Sequence, residues 1–305
     1  MYNPSHGKMT GDDKVKKKRD PIFVVCLGIF LIAAIAVVGV YINDHYIAED
    51  DTEAAYGDKV TVDYTGSYYD YVDGEFAVVF DTSYSSVAEN DKIIKSNSFT
   101  KMDKQKFDSL SFTIGKGEVL AMFGDAIVGH KVGDKIQVYI PAGEGYPGTD
   151  KQMGLNDGSV EKSEIMTKAN FDRMYPDVKL TTGKTVTFKT VYGWEATALS
   201  NSTNNSVVIN HNPKVGETYD YAGNEDSQFG TVKFAVTDVD KEVSFNFIID
   251  GKKVDDKGEI QMIDLDLGEV WHITNVANGS FTYHTGDENG NMPLYFEIKL
   301  VSIGA

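Results

Sequence analysis

The chain has 305 residues, of which 41% are hydrophobic and 25% are charged, a composition typical of a folded protein with one large or two modest domains. Its net charge of −17 disfavours nucleic acid as a partner, because an acidic surface repels phosphate. Tyrosine (17), phenylalanine (16) and glycine (29) are plentiful and proline (7) is sparse, which favours strands and turns over long helices.

A basic tail precedes a long apolar run at the start of the chain. Residues 1–20 hold six basic and three acidic side chains, a balance of +3 that leaves −20 for the rest of the chain. Residues 21–42 carry no charge and are long enough to cross a bilayer as a helix of about 20 residues. Because positive charge stays on the cytoplasmic side, we expect a single-pass membrane protein whose N-terminus is cytoplasmic and whose C-terminal body is extracytoplasmic. A cleaved signal peptide is the alternative, although its apolar region is usually shorter.

After a polar linker, residues 43–53, the pattern becomes that of strands around one helix. Four segments have the alternation or bulky apolar content of strands, and they are 57–66, 76–80, 110–114 and 135–140. Between the last two, the stretch 118–127 repeats apolar residues at helical spacing. One short helix packed on an antiparallel sheet is an α+β arrangement.

Short motifs in this segment follow one another in a distinctive order. They are Tyr64-Thr65-Gly66, Asp73-Gly74, Phe80-Asp81-Thr82-Ser83, Phe112-Thr113-Ile114-Gly115-Lys116-Gly117-Glu118-Val119-Leu120, Val132-Gly133-Asp134-Lys135, Ile140-Pro141 and Gly145-Tyr146-Pro147-Gly148. Each motif alone is weak, but their order and spacing together resemble the FKBP family of peptidyl-prolyl cis/trans isomerases. The resemblance implies an FKBP-like antiparallel sheet wrapped on a short helix, and an activity that needs no cofactor and no metal.

The resemblance also implies that the FKBP domain is split. Its last strand is similar to 294–303, so the domain is predicted over 54–150 and 292–305, with a β-rich domain inserted at 151–291. This arrangement resembles the long microbial, SlyD-like members, which carry an insert-in-flap domain at this place.

Only the first half of the insert resembles that domain. Residues 165–221 contain a strand followed by Asn210-His211-Asn212-Pro213, close to the end of the family's insert. Residues 222–291 resemble no family, and their pattern predicts four strands at 231–237, 243–249, 259–265 and 271–275. Asp250-Gly251 is a typical hairpin-turn pair.

The resemblance places an apolar pocket in the first domain. Its lining residues are expected to be Tyr64, Phe80, Asp81, Val119, Leu120, Phe123, Tyr146 and Phe296. Phe123 is expected to form the floor, Tyr146 to offer its hydroxyl to the substrate carbonyl, and Asp81 to orient the imide. Such a pocket suits prolyl isomerisation, because the twisted amide of the transition state is less polar than the planar one and is favoured in dry surroundings. Alternatively these aromatic residues belong to the core, which is the interpretation we prefer for Phe112.

In the family, the insert-in-flap domain binds unfolded chains, so the partners implied are unfolded or proline-containing polypeptides. Apolar residues of the insert that could form an adaptable binding surface are Ile165, Met166, Phe171, Met174, Tyr192 and Trp194. The alternative is that most of them form the insert's own core.

The remaining motifs point to no further chemistry. The six histidines show no metal-ligand spacing, and Asp287-Glu288-Asn289-Gly290-Asn291 lacks the downstream glutamate of a calcium loop, so it is interpreted as a polar turn. Two other functions stay open. One is a catalytically weak FKBP-fold chaperone or docking module on the cell surface, and the other is a β-rich structural surface protein.

Overall fold

The computed structural model describes residues 52–99, 107–201, 203 and 205–304. The predicted tail at 1–20 and the predicted membrane segment at 21–42 lie outside the described residues. In the part of the chain that is described, no helix is both long and apolar enough to cross a bilayer.

One sheet joins the beginning and the end of the described chain. Its strands are β1 (Lys59–Tyr68), β2 (Val78–Thr82), β3 (Leu110–Thr113), β4 (Lys135–Ile140) and β17 (Leu294–Gly304). The order is β2-β1-β17-β4, all neighbours are antiparallel, and β3 lies beside β2 on the same edge of β1. This first sheet contains the predicted last strand, 294–303, in the middle.

Strand β1 is longer than its sequence pattern predicts. The pattern suggests that the strand closes at Gly66, but pairing continues to Tyr68, because β17 and β2 both supply partners for Ser67 and Tyr68. The two extra residues carry the strand past the predicted pocket.

In the ranges that the structure describes, helices are few and short, which is consistent with the α+β prediction. They are α1 (Ser85–Ala88), α2 (Ala121–Asp125) and α3 (Lys168–Met174), with a 3₁₀ turn at Ala222–Glu225. Helix α2 is shorter than the predicted 118–127, because Leu120 keeps an extended ψ of 134° at its start. Its one large buried side chain, Phe123, is 3% exposed and faces the first sheet.

The middle of the predicted insert is a small sheet with its own core. Its strands are β7 (Ser163–Thr167), β8 (Thr185–Lys189), β9 (Glu195–Asn201) and β10 (Ser206–His211), in the order β7-β10-β9-β8. Thr167 caps helix α3 by accepting a hydrogen bond from the Asn170 backbone N–H at 3.2 Å. We call this unit the 163–211 sheet. The core between the sheet and α3 consists of Phe171, Tyr175, Phe188, Ala196, Ala198, Val207 and Ile209.

Two more four-stranded sheets form the rest of the insert, and we call them together the outer module. One sheet of the module contains β6 (Gly158–Glu161), β11 (Thr218–Asp220), β12 (Gly230–Val239) and β13 (Glu242–Gly251), in the order β11-β12-β13-β6. The second contains β5 (Lys151–Gly154), β14 (Glu259–Asp266), β15 (Val270–Ala277) and β16 (Ser280–Thr285), in the order β14-β15-β16-β5. The four predicted strands of 222–291 are therefore present. Strands β5 and β6, which precede the 163–211 sheet along the chain, complete the two sheets.

The hairpin predicted at Asp250-Gly251 is wrong. Both residues lie inside strand pairing, opposite Thr231 and Gly230 of β12. The chain turns instead between Val239 and Glu242, because this register places the alternate side chains of β13, including Phe245 and Phe247, in the core.

The outer module and the first sheet share a single continuous core. Phe247 contacts Phe245 and Phe281 edge to face, with ring centres 5.3 and 5.0 Å apart. The same cluster of buried side chains reaches Phe296 of β17. The outer module is thus packed against the domain that contains the predicted pocket.

Candidate functional site

Aromatic rings from three elements meet around Phe123. The Phe123 ring contacts Tyr64 of β1 at 5.8 Å and Phe296 of β17 at 5.1 Å between ring centres, both nearly perpendicular. Phe80 of β2 meets Phe296 edge to face at 5.7 Å. Phe123 and Phe296 are buried, whereas Tyr64 and Phe80 are partly exposed. The structure therefore brings four of the predicted pocket residues together, with Phe123 innermost.

A polar pair stands at the edge of these rings. The Tyr64 hydroxyl donates a hydrogen bond to Asp81 Oδ2 at 2.6 Å, in partly buried surroundings. Burial raises the pKa of Tyr64, and the hydrogen bond to Asp81 raises it further, so this hydroxyl stays a neutral donor. Asp81 is thereby held at the edge of an apolar cluster by a strong, charge-assisted hydrogen bond.

Tyr146 belongs to the same electrostatic neighbourhood. It is half-buried in the loop after β4, and its pKa is raised first by burial and then by the charges of Asp287 and Asp81. The site therefore offers two neutral tyrosine hydroxyls and one carboxylate beside a ring cluster.

Val119 and Leu120 lie at the entrance to helix α2. Both are partly buried and pack against the hydrophobic core, and they border a cleft of about 310 Å³ that none of the other six predicted residues lines. Leu120 directly precedes the first turn of the helix, so the short helix holds Leu120 and Phe123 close to each other. They are the two aliphatic members of the predicted set of eight.

A larger cleft, of about 740 Å³, lies elsewhere. Its lining includes Thr65 and Glu297, which alternate with Tyr64 and Phe296 along β1 and β17 and so face the other side of the first sheet, and Gln137, which pairs with Glu297. None of the eight predicted residues lines it. We place the site at the aromatic cluster, because that is where apolar surface and hydrogen-bonding groups converge.

Gly66 is a site residue that the sequence analysis did not single out. It pairs with Phe296 on one side and with Asp81 on the other. A Cβ atom at Gly66 would lie 2.7 Å from Phe80 Cζ and 2.8 Å from Phe296 Cε1. The missing side chain is what lets the two rings approach each other over the strand.

Tyr68 was also missed. Its ring is fully buried and stacks on Phe80, with centres 4.7 Å apart and planes 26° apart. Its hydroxyl donates to Asn289 Oδ1 at 2.7 Å. The signal available in the sequence was the alternation of β1, which puts Tyr64, Gly66 and Tyr68 on one face. Phe112, assigned to the core, is 2% exposed and packs behind Phe123.

The residues proposed for binding unfolded chains separate into surface and interior. Ile165 is 71% exposed on β7, whereas Phe171 and Trp194 are fully buried, and Tyr192 stacks on Trp194 with ring centres 4.7 Å apart. Met166 and Met174 are partly buried against the core of the 163–211 sheet. In this fold the buried members serve as core, so a client could reach Ile165 but not Phe171, Tyr192 or Trp194.

Two further apolar residues that were not predicted lie in line with Ile165 on the same face of the sheet, and of these Leu199 is exposed and Val208 partly exposed. Val208 of β10 pairs with Ile165 on one side and with Leu199 of β9 on the other, and Leu199 is 40% exposed. The three side chains form a row across the face of the sheet opposite α3. We call Ile165, Val208 and Leu199 the apolar row.

In the described ranges, no group of three or more His, Cys, Asp or Glu side chains is arranged to hold a metal ion. The site just described consists of aromatic, aliphatic and hydroxyl groups with one carboxylate. Its hydroxyl groups are weak nucleophiles at neutral pH unless a base lies beside them.

Comparison with known proteins finds similarity over part of the chain. Residues 50–190 match the family of FKBP-type peptidyl-prolyl cis-trans isomerases. A short-type peptidyl-prolyl cis-trans isomerase from Methanocaldococcus jannaschii is 33% identical over 97 residues, which are 32% of this chain and 53% of the relative. The chain thus spans about half the length of that relative. In this part of the chain, the matched residues and the aromatic site around Phe123 are similar to the FKBP-type peptidyl-prolyl cis-trans isomerase family.

Proposed function

We propose that the protein catalyses cis/trans isomerisation of X–Pro bonds in the pocket around Phe123. The observation that carries this proposal is the Tyr64–Asp81 hydrogen bond, 2.6 Å long, at the edge of a cluster of four aromatic rings. The family match over residues 50–190 supports the same reaction.

The reaction needs little more than this site provides. Rotation about a prolyl amide crosses a barrier of roughly 18–20 kcal/mol, because the planar amide must lose its resonance. The proline ring would pack on Phe123, and the twisted, less polar amide would be favoured in these dry surroundings over the planar one. Tyr146 would donate to the substrate carbonyl, and Asp81, held by Tyr64, would orient the imide.

The test is the exchange of an Ala-Pro or Leu-Pro peptide with the parent protein and with Asp81→Ala and Tyr146→Ala. We expect acceleration by the parent and a loss of at least about tenfold in each variant, about 1.4 kcal/mol of transition-state stabilisation. Asp177→Ala, an exposed change in the insert, serves as the control and should leave the rate unchanged. A folded parent protein that does not accelerate exchange would favour the alternative of an FKBP-fold docking module.

We further propose that the insert acts as a chaperone-like, insert-in-flap domain, whose apolar row binds unfolded polypeptides. The row presents Ile165 and Leu199, 71% and 40% exposed, on a sheet that has its own hydrophobic core. A contiguous group of apolar side chains on a solvent-exposed surface is a common feature of protein-binding sites. A client held there would experience a higher effective concentration at the pocket.

This second proposal is tested with Ile165→Ser combined with Leu199→Ser. We expect the double variant to lose acceleration of the refolding of a proline-limited protein while its rate on a short peptide stays that of the parent. Ile248→Ser is the matched control, because Ile248 is 45% exposed on β13 of the outer module. An equal effect of the control and the double variant would contradict a specific role for the row.

Our proposal for localisation is a membrane anchor at residues 21–42 with the catalytic body outside the cytoplasm. It rests on the uncharged run and on the basic balance of residues 1–20 before it. External protease added to intact cells should digest the body, and a body that stays protected would contradict the orientation.

A further inference from the structure

The polar turn Asp287–Asn291 lies between the outer module and the predicted pocket. It follows β16 of the outer module and leads directly into β17 of the first sheet. Asp287 Oδ1 accepts hydrogen bonds from the Asn289 backbone N–H at 2.9 Å and from Asn289 Nδ2 at 3.0 Å. The turn therefore organises itself and fixes the amide of Asn289, which leaves its Oδ1 free to accept.

The oxygen of Asn289 binds the residue behind the pocket wall. Asn289 Oδ1 accepts from the Tyr68 hydroxyl at 2.7 Å, and the Tyr68 ring stacks on Phe80 at 4.7 Å. Tyr68 is fully buried, and a buried hydroxyl normally requires a partner. The partner here comes from the inserted chain and not from the domain to which Tyr68 belongs.

The turn touches two other segments at the site. The Asn291 backbone N–H donates to the Tyr146 carbonyl oxygen at 3.1 Å, with Asn291 in a left-handed conformation of φ 57° that asparagine tolerates. Glu288, 7% exposed, accepts from the Ser98 backbone N–H at 2.9 Å. The turn thus contacts the loop of Tyr146, the segment of Ser98 and the ring behind Phe80.

We propose that Asn289 is a positioning residue for the isomerase pocket, through which the outer module fixes the Tyr68 and Phe80 rings. This inference rests on the proposed function. The physical reason is that a rigid wall must match the twisted amide closely, since small misplacements of reacting groups cost large factors in rate. In a domain with an insert at this place, the shape of the wall then depends on a residue outside the catalytic domain.

The experiment compares Asn289→Ala, Tyr68→Phe and their double variant in the full-length protein. Tyr68→Phe removes only the hydroxyl and keeps the stacked ring, so it tests the bond even if Asn289→Ala fails to fold. We expect each single variant to lower kcat/KM for a Leu-Pro peptide about fivefold to tenfold, mainly through kcat. Because both changes remove the same hydrogen bond, we expect the kcat/KM of the double variant to be no lower than that of the less active single variant.

Asn224→Ala is the matched control. Its amide also spans a backbone segment, accepting from the Val232 N–H at 2.8 Å, but it lies within the outer module. It should lower the free energy of unfolding and leave kcat/KM at the parent value. Full activity in folded Tyr68→Phe, additive losses in the double variant, or an equal loss in Asn224→Ala would overturn the inference. An inactive parent protein would instead overturn the proposed function, and this inference with it.

Discussion

Replacing Tyr64 by phenylalanine removes one hydroxyl from the site and keeps the ring. The lost hydrogen bond joins Tyr64 to Asp81 at 2.6 Å, and bonds to charged acceptors contribute about 1.5–3 kcal/mol. The ring remains edge to face with Phe123 at 5.8 Å, so the apolar part of the pocket is retained. If the bond served only the transition state, its loss would reduce kcat/KM roughly tenfold to a hundredfold. Because the bond also exists in the free protein, we expect the lower end, about tenfold.

The assay is cis/trans exchange of a Leu-Pro peptide, with the free energy of unfolding measured by urea on the same samples. Tyr56→Phe is the matched control, since the Tyr56 hydroxyl donates to Asp125 Oδ1 at 3.1 Å from a side chain that is 64% exposed. We expect this control to keep the parent's kcat/KM. A folded Tyr64→Phe protein with the parent's kcat/KM would refute the idea that Tyr64 holds Asp81 for catalysis.

Three further changes test other parts of the account. Gly66→Ala places a Cβ 2.7 Å from Phe80 Cζ, and such overpacking should cost about 1–3 kcal/mol in urea unfolding and weaken catalysis; an unchanged unfolding curve contradicts the tight packing. Phe171→Ala removes a ring from the core of the 163–211 sheet and should lower the free energy of unfolding by about 3–5 kcal/mol. Acceleration of the refolding of a client protein should decrease while exchange of a short peptide persists, and equal losses of the two activities would contradict separate cores. Burial lowers the pKa of His272, but the carboxylate of Asp264, 2.7 Å away, more than offsets this and the net pKa is raised. The stabilisation that this pair contributes is therefore fully present below the ordinary histidine pKa and is lost as pH rises through the raised pKa. Asp264→Asn should therefore lower the free energy of unfolding more at about pH 6 than at about pH 9, and a decrease that does not depend on pH would contradict the pairing.

Local motifs predicted which aromatic residues cluster around Phe123, because the fold brings them together from regular elements. Alternation along β1 and β2 places Tyr64 and Asp81 on adjoining strands, and helical spacing places Phe123 toward them. The pairing of β17 beside β1 was predictable only through the family resemblance, because no local pattern encodes contact between residues so far apart in the chain.

The insert was less predictable, for two physical reasons. Hydrophobicity alone does not tell which apolar side chains a small sheet buries, so exposed Ile165 and buried Phe171 looked alike in the sequence. The register of β12 with β13 depends on which face meets the core, and this placed Asp250 within a strand despite its turn-forming neighbour. The contact of Asn289 with Tyr68 depends on how the outer module packs, which no motif in either segment reveals.

The most direct test of the central claim is two-dimensional NMR exchange on a Leu-Pro peptide with the parent protein and with Phe123→Leu. Phe123 is the ring that Tyr64 and Phe296 both contact, so leucine removes the aromatic floor and keeps an apolar residue. Phe281→Leu, a similarly buried change in the outer module, controls for lost stability. We expect exchange cross-peaks with the parent and with Phe281→Leu, and their loss or strong weakening with Phe123→Leu. Undiminished exchange in folded Phe123→Leu, or none in the parent, would contradict it.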